Sequence, residues 1–537
     1  MSRISRTRTL ALASVVLVPL FAGGFLYQDK VTRTGEQLLS QVVMLVTDRY
    51  VDTLDTSAVY EKAARGLVKE LNDPYSELFS PKELKQFTTQ TGGRYGGIGM
   101  SIEYQDGQIV IATVFPNTPA EAGGVRVGDR IVQVDTLSTR GWSTQQVSDY
   151  LTGTPGTKVE VKFARPGVAA PIDVHFTRAV IHVPAVRYSI VFGSGNEKIG
   201  YVPLDRFNET AAAEVQDAVE SLTKQNVHGI VLDFRGNPGG ILDQSLAMSN
   251  LFLKDGQEIA SIRARNGESQ TYNAKGTPLL PTTPLVVLTD DYTASAAEIV
   301  AGALQDHDRA LIVGQTSFGK GLVQSVFNLE GGYALKLTTA KWYTPSGRSI
   351  QKERKFENGH FVETPPDSTA ETEAVKKNRP AYKSDAGRVV YGGGGITPDV
   401  IVADDTLTTP EQHLAKALAA KQQEVYTTLY DYALELSKQV PRDFTVPPAW
   451  RAEFLRRLQA KGVTVDQKDY DASARYIDRL LEQRVTRFAF GDSTAKRRDL
   501  PYDAPLRRAI DLLDHGQSQR DLFAEAQRTA QVAPRKQ

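Results

Sequence analysis

The chain has 537 residues, and its 63 lysines and arginines are matched by 63 aspartates and glutamates, so no net charge draws it to nucleic acid or another polyanion. With 41% hydrophobic and 23% charged residues the composition is globular, and at this length about three domains are expected rather than one core. Cysteine is absent, which excludes disulfides, thiolate nucleophiles and thiolate-held metals, and the seven histidines show no H-E-x-x-H or similar ligand spacing.

In chain order, Arg3, Arg6 and Arg8 precede an uncharged apolar run, Leu10 to Tyr27, that ends at Asp29. The run is longer than a usual signal core and just short of a comfortable span, with Pro19 and Gly23-Gly24 weakening any helix. Residues 1–29 are read as an uncleaved membrane anchor with its positive end inside; a cleaved signal ending near Ala22 and Gly24 is the alternative. Either way the bulk of the chain is expected outside the cytoplasm.

Residues 30–91 read as helical, interrupted by turn chemistry at Asn72-Asp73-Pro74. From Gly92 to about Arg178 the texture becomes short alternating runs between glycine-rich turns, with one helix-like piece, "STQQVSDYLTG", which predicts a compact β-rich module over 92–180. Residues 181–404 then alternate apolar strand runs ("KIGYVPLDRF", "HGIVLDFRG", "TPLVVLTD", "ALIVGQ") with helical ones, the mark of an α/β layer around a buried sheet. Such sheets carry their working groups on loops at the carboxyl ends of the strands, where "DFRGNPGG" and "TDDYTAS" fall. Residues 352–391 read as a polar loop. From 405 to 537 the chain is helical and charge-rich; its amphipathic stripes fit plain helix packing or a docking and oligomer surface.

Ser295, in "TASAAEIVAGALQD", fits two readings. With Glu298 it makes an S-x-x-E capping box. As a nucleophile it would need a base, and with no histidine placed nearby the next candidate is a lysine made neutral by burial. Lys320, in "TSFGKGLVQ", lies between glycines just after a strand run, a setting more often that of a solvated loop lysine; Gln324 lies four residues on, within reach of its amine if this stretch coils. In "RGNPGGIL" the pair Gly239-Gly240 either makes a plain turn or bares backbone N–H groups at a helix start for a developing negative charge. No phosphate loop of the G-x-x-x-x-G-K-[ST] kind is present, which speaks against a nucleotide-dependent α/β enzyme.

Seven blocks, "NDPYS", "YGGIGMSI", "DFRGNPGG", "TASAAEIVAGALQD", "GQTSFGKGLVQ", "LKLTTAKWYTPSGRSIQ" and "GITPDV", stand in the order found in the carboxyl-terminal processing proteases, or tail-specific proteases, and the chain resembles that family from about Asn72 to Val402. The resemblance implies an α/β catalytic core with an inserted PDZ domain and helical segments at both ends. It implies Ser295 as nucleophile, Lys320 as general base, Gln324 as the group that positions the lysine, and an oxyanion hole from the N–H of Ala296 with that of Gly239 or Gly240. The stretch Tyr95, Gly96, Gly97, Ile98, Gly99, Met100, Ser101, Ile102 resembles the PDZ carboxylate loop and receiving strand, which bind a peptide tail. The implied function is a serine endopeptidase that captures proteins by their C-terminal tails; a non-catalytic tail-binding scaffold of the cell envelope is the alternative. Expected partners are protein substrates with accessible C-termini, an activating adaptor and further copies in a homo-oligomer, with no cofactor and no metal. The expected location is the bacterial cell envelope, on the periplasmic side of the inner membrane.

Overall fold

The computed structural model describes residues 34–532 apart from 106, 196, 353, 358–359, 364–378 and 404. The expected anchor over 1–29 lies outside the described residues, as does most of "ETPPDSTAETEAVKKNRP"; among the described residues no helix is long and apolar enough to cross a membrane.

The chain divides into two compact units. The first comprises the residues up to Leu84 with Gln324–Thr338. Its helices span 34–49 and Thr56–Lys69, the latter started by Asp55, whose carboxylate accepts the N–H of Ala58. The segment read as wholly helical also holds a strand, Glu77–Phe79, paired antiparallel with Ala334–Lys336. The propensity reading missed this pairing because strand formation here depends on a partner more than two hundred residues away in sequence.

The second unit comprises Lys85–Val323 and Thr339–Gln537. Its β-rich module is a sheet in the order Met100–Gln105, Gln108–Val114, Arg130–Val134, Lys158–Ala164, Ile172–Thr177, closed at its base by Arg94–Gly97 pairing with Ala179–His182. Met100–Gln105 is an edge strand, with no strand paired on its outer side among the described residues. The one helix-like piece is a helix, Thr144–Leu151, started by a full capping box between Ser143 and Gln146.

The α/β core is a six-stranded sheet in the order Ile190–Phe192, Ile199–Pro203, Gly229–Asp233, Leu285–Thr289, Leu311–Gly314, Val400–Ile401, parallel except for its first pair. Helices Ala211–Thr223, Leu242–Asn250 and Ala296–Asp306 share one core with Val202, Ile230, Leu232, Leu285, Val287 and Ile312. The alternate strand residues, Tyr201, Val231, Val286, Leu288, Leu311 and Val313, are covered by Leu506, Leu512 and Leu513 of helix Ala504–His515 and by Leu522 of helix Gln519–Val532. The last two helices of the charge-rich tail therefore complete the core. Removing such buried leucines would cost ~2–5 kcal/mol each. The polar loop expected over 352–391 instead contains the hairpins Arg354–Glu357 with His360–Glu363 and Ala381–Lys383 with Val389–Tyr391.

Candidate active site

Three parallel strands end side by side: Gly229–Asp233 runs into "FRGNPGG", Leu285–Thr289 into "DDYTAS", and Leu311–Gly314 into "QTSFGK". Carboxyl ends of adjacent parallel strands are where such sheets form crevices, and the parallel register brings these loops together.

Ser295 caps helix Ala296–Asp306 with φ 55° and ψ −115°. A side chain held at positive φ costs ~1–3 kcal/mol, and such strain persists where the surroundings impose it. Here they do so through Glu298, which is fully buried. Its Oε2 accepts the N–H of Ser295 at 2.7 Å and that of Lys320 at 2.9 Å; its Oε1 accepts the N–H of Gly319 at 2.7 Å and the hydroxyl of Ser317 at 2.5 Å. One carboxylate thus fixes the backbones of both the serine and the lysine loops. Burial pushes the Glu298 carboxyl above its ordinary range, and the donors from Ser317, Lys320, Gly319 and Ser295 offset part of that rise. The carbonyl of Lys320 accepts the indole N–H of Trp342 at 3.0 Å, and the N–H of Gly321 donates to Gln351 at 2.8 Å, so the lysine backbone is held on both sides.

The glycine turn lies against the serine. At Gly239, φ is +90°, and a Cβ there would meet the Ala294 carbonyl oxygen at 2.6 Å, the Ala296 nitrogen at 2.8 Å and the Ser295 Cβ at 2.9 Å. Only glycine fits so close to Ser295. The N–H of Gly239 donates to Asn237 Oδ1 at 2.8 Å. Gly240 bridges Phe207 in parallel through its neighbours, Phe207 N–H to the Gly239 carbonyl and Ile241 N–H to the Phe207 carbonyl, which turns the N–H of Gly240 out of that ladder.

Asp290 was not singled out in the sequence. Its carboxylate accepts the N–H of Gly236 at 2.9 Å and that of Thr293 at 2.9 Å, tying the glycine turn to the serine loop. The spacing D-x-x-T, an Asx-type turn signal, was the available clue.

Gln324 belongs to the first unit. The stretch that would bring Gln324 to the lysine amine if it coiled is instead a strand, Leu322–Asn328, whose β-branched Val323 and Val326 favour extended backbone, and the Gln324 amide donates to Thr338 Oγ1 at 3.2 Å. The structure thus gathers Ser295, Ala296, Gly239, Gly240 and Lys320, while the coil that was to bring the Gln324 amide to the lysine is absent.

In the β-rich module, Gly97, Ile98, Gly99 and Met100 are buried and lead into the edge strand containing Ser101 and Ile102. Gly96 accepts the N–H of Gly153, next to the end of helix Thr144–Leu151. The Tyr95 ring folds back on Gly97, where a Cβ would lie 2.5 Å from it. Burial pushes the Tyr95 phenol up to about 12, partly offset by the N–H groups of Met100 and Gly99 that face its oxygen.

Comparison with known proteins adds an independent line. Residues 198–358 match the model of peptidase family S41, and residues 110–165 match that of the PDZ domain. The chain is 36% identical to the carboxy-terminal processing protease CtpA of Bacillus subtilis over 324 residues, 60% of this chain and 66% of that one. It is 36% identical over 310 residues to the carboxy-terminal-processing protease of Bartonella bacilliformis, 57% of this chain and 70% of that one. With the carboxyl-terminal-processing protease of Picosynechococcus it shares 32% identity over 361 residues, 64% of this chain and 86% of that one.

Proposed function

Since the chain belongs to peptidase family S41, the carboxy-terminal processing proteases, we propose that it is a serine endopeptidase that takes protein substrates by their C-terminal tails. Ser295 Oγ attacks the scissile carbonyl, and neutral Lys320 takes the hydroxyl proton and returns it to the leaving amine. The tetrahedral oxyanion is held by the N–H of Ala296 and that of Gly240, the glycine whose N–H is turned out of its ladder while that of Gly239 is engaged by Asn237. Water then hydrolyses the acyl-enzyme. Gln324 is assigned the support of the lysine in the working state, on the family resemblance.

The tail adds as a strand to the free edge of Met100–Gln105, with its carboxylate at the loop Tyr95–Met100. A membrane anchor over 1–29, a location on the periplasmic side of the inner membrane, assembly into homo-oligomers, and activation by an adaptor remain part of the proposal.

The observation that carries the reading is the convergence of the Ser295 and Lys320 N–H groups on one buried carboxylate, beside a glycine turn too close for any side chain. Ser295→Ala and Lys320→Ala are each expected to abolish cleavage of a substrate with an accessible tail, read by mass spectrometry of new termini. Full cleavage by either variant would overturn the assignment and leave the tail-binding scaffold as the better reading.

A further inference from the structure

The S41 match ends at residue 358, yet a side chain from far beyond it reaches the loop that leads to the oxyanion hole. Arg235, two residues past the strand Gly229–Asp233, directs its guanidinium two ways. Its Nε donates to Asp233 Oδ1 at 2.9 Å and its Nη2 to Asp233 Oδ2 at 2.6 Å. Its Nη1 and Nη2 also donate to the two oxygens of Asp503, each at 2.8 Å, a bidentate pair. The Asp503 side chain is 5% exposed and that of Arg235 17%. The remaining valences of the two carboxylates are filled: Lys496 Nζ reaches Asp503 at 2.6 Å, the Leu506 N–H donates to Asp503 at 3.0 Å, and the Tyr201 hydroxyl donates to Asp233 at 2.8 Å. Burial would raise the Asp503 carboxyl, but Arg235 and Lys496 hold it far below the usual range.

Downstream of Arg235 every link of the turn is made by backbone or short side chains. The Gly236 N–H is on Asp290, the Asn237 amide is on the Leu204 carbonyl, and the Asn237 carbonyl accepts the N–H of Ala294, the residue before the serine. Among the described residues of the tail, the anchor of the turn's entry is Asp503, the N-cap of the helix Ala504–His515 that packs on the central sheet. Resting on the peptidase reading, we propose that Asp503 is a positioning residue for the oxyanion hole, acting through Arg235, so that the C-terminal helices are a working part of the catalytic site. Without the carboxylate, the guanidinium is left buried with half its partners, and the turn carrying Gly239 and Gly240 loses its register against Ser295. A misplacement on the order of 1 Å at such a site costs about a hundredfold in rate.

The test uses the full chain with Asp503→Asn, Asp503→Glu, Arg235→Gln and the double variant Asp503→Asn/Arg235→Gln. Three quantities are read: kcat and KM on a peptide with a free C-terminal tail, the rate of Ser295 labelling by a fluorophosphonate, and deuterium exchange of the amides of 236–241. For Asp503→Asn, kcat and labelling are expected to fall about ten- to a hundredfold with KM within about twofold, and exchange in the turn to rise about tenfold or more. The double variant should be no slower than Arg235→Gln alone, since both break one link. Arg451→Gln, which opens an ion pair with Asp478 within the C-terminal helices, should leave kcat within about twofold and controls for general loosening of them. Should Asp503→Asn fail to fold, Asp503→Glu keeps the charge and decides: a fall in kcat of about threefold or more supports the proposal. Folded Asp503 variants with unchanged kcat, labelling and exchange overturn it. A wild-type chain that neither cleaves nor labels would defeat the peptidase reading instead, and the exchange measurement would still judge the role of Asp503.

Discussion

Replacing Glu298 by glutamine tests whether one buried carboxylate holds the site together. The side chains have nearly the same volume, so no cavity forms and packing is unchanged. What changes is acceptor count. All four groups facing Glu298 are donors, three backbone N–H groups and the Ser317 hydroxyl, and an amide offers one oxygen to them and turns an NH2 toward the rest. If the oxygen stays with Ser317 and Gly319, the N–H groups of Ser295 and Lys320 face a donor. Each lost bond to a charged acceptor is worth ~1.5–3 kcal/mol, or ~3–6 kcal/mol for the two. Against this stands relief from burying a charge, since the Glu298 carboxyl is raised by its burial. The donors win because they are held in place by two backbone loops and cannot all follow a single amide oxygen, leaving a net loss of ~2–4 kcal/mol. Guanidinium unfolding reads that loss as a lower midpoint, and steady-state kinetics should show kcat falling at least about a hundredfold as the strained Ser295 backbone relaxes. KM for the tail should hold, because the edge strand Met100–Gln105 is not part of this network. A glutamine variant with wild-type midpoint and kcat would refute the reasoning.

Further outcomes follow from the same contacts. Asp503 has a lowered carboxyl in the fold, so its contribution is fully present above about pH 4 and is lost as the pH falls through the native value; Tm against pH should drop more steeply in the wild type than in Asp503→Asn. Tyr95→Phe removes the oxygen that the Gly99 and Met100 N–H groups face, which should free them for a tail carboxylate and tighten binding of a tail peptide by about fivefold, ~1 kcal/mol, in calorimetry; unchanged or weaker binding would count against that role. Tyr430 is 1% exposed and donates to the Ile111 carbonyl at 2.8 Å, so Tyr430→Phe should cost ~1–3 kcal/mol and speed proteolysis of the β-rich module. If Lys320 acts as a neutral amine, kcat/KM should rise with pH as the amine loses its proton, and Lys320→Arg, which cannot, should be inactive at every pH.

Much of the fold was legible because its signals are local. Buried parallel strands such as Leu285–Thr289 and Leu311–Gly314 show as unbroken apolar runs, and the module of 92–180 as alternating ones punctuated by glycine. The pairing of Glu77–Phe79 with Ala334–Lys336 was not legible, nor was the role of helix Ala504–His515 as a cover for the central sheet, since in both the deciding contact comes from a distant segment. An amphipathic stripe states that a helix will bury a face and is silent on where. The route from Gln324 to Lys320 was not legible for a related reason: a four-residue offset sets two side chains side by side on a helix, and Leu322–Asn328 is extended, so the spacing alone does not bring the amide to the lysine.

The site shows the same division in sharper form. S-x-x-E at Ser295 and Glu298 reads as a helix cap, and the Glu298 carboxylate does accept the N–H of Ser295. A cap uses one oxygen and is normally wet. Here the side chain is fully buried, and the same oxygen also takes the Lys320 N–H while its neighbour takes Gly319 and Ser317. Three of the four donors come from residues 317–320, so the motif becomes a junction only when strand Leu311–Gly314 has been laid beside Leu285–Thr289. A capping glutamate on the surface holds one backbone N–H, so its removal would cost ~0.5–1.5 kcal/mol and leave chemistry alone. At this junction its removal loosens the serine and lysine loops together, and the ratio of lost rate to lost stability distinguishes the two roles.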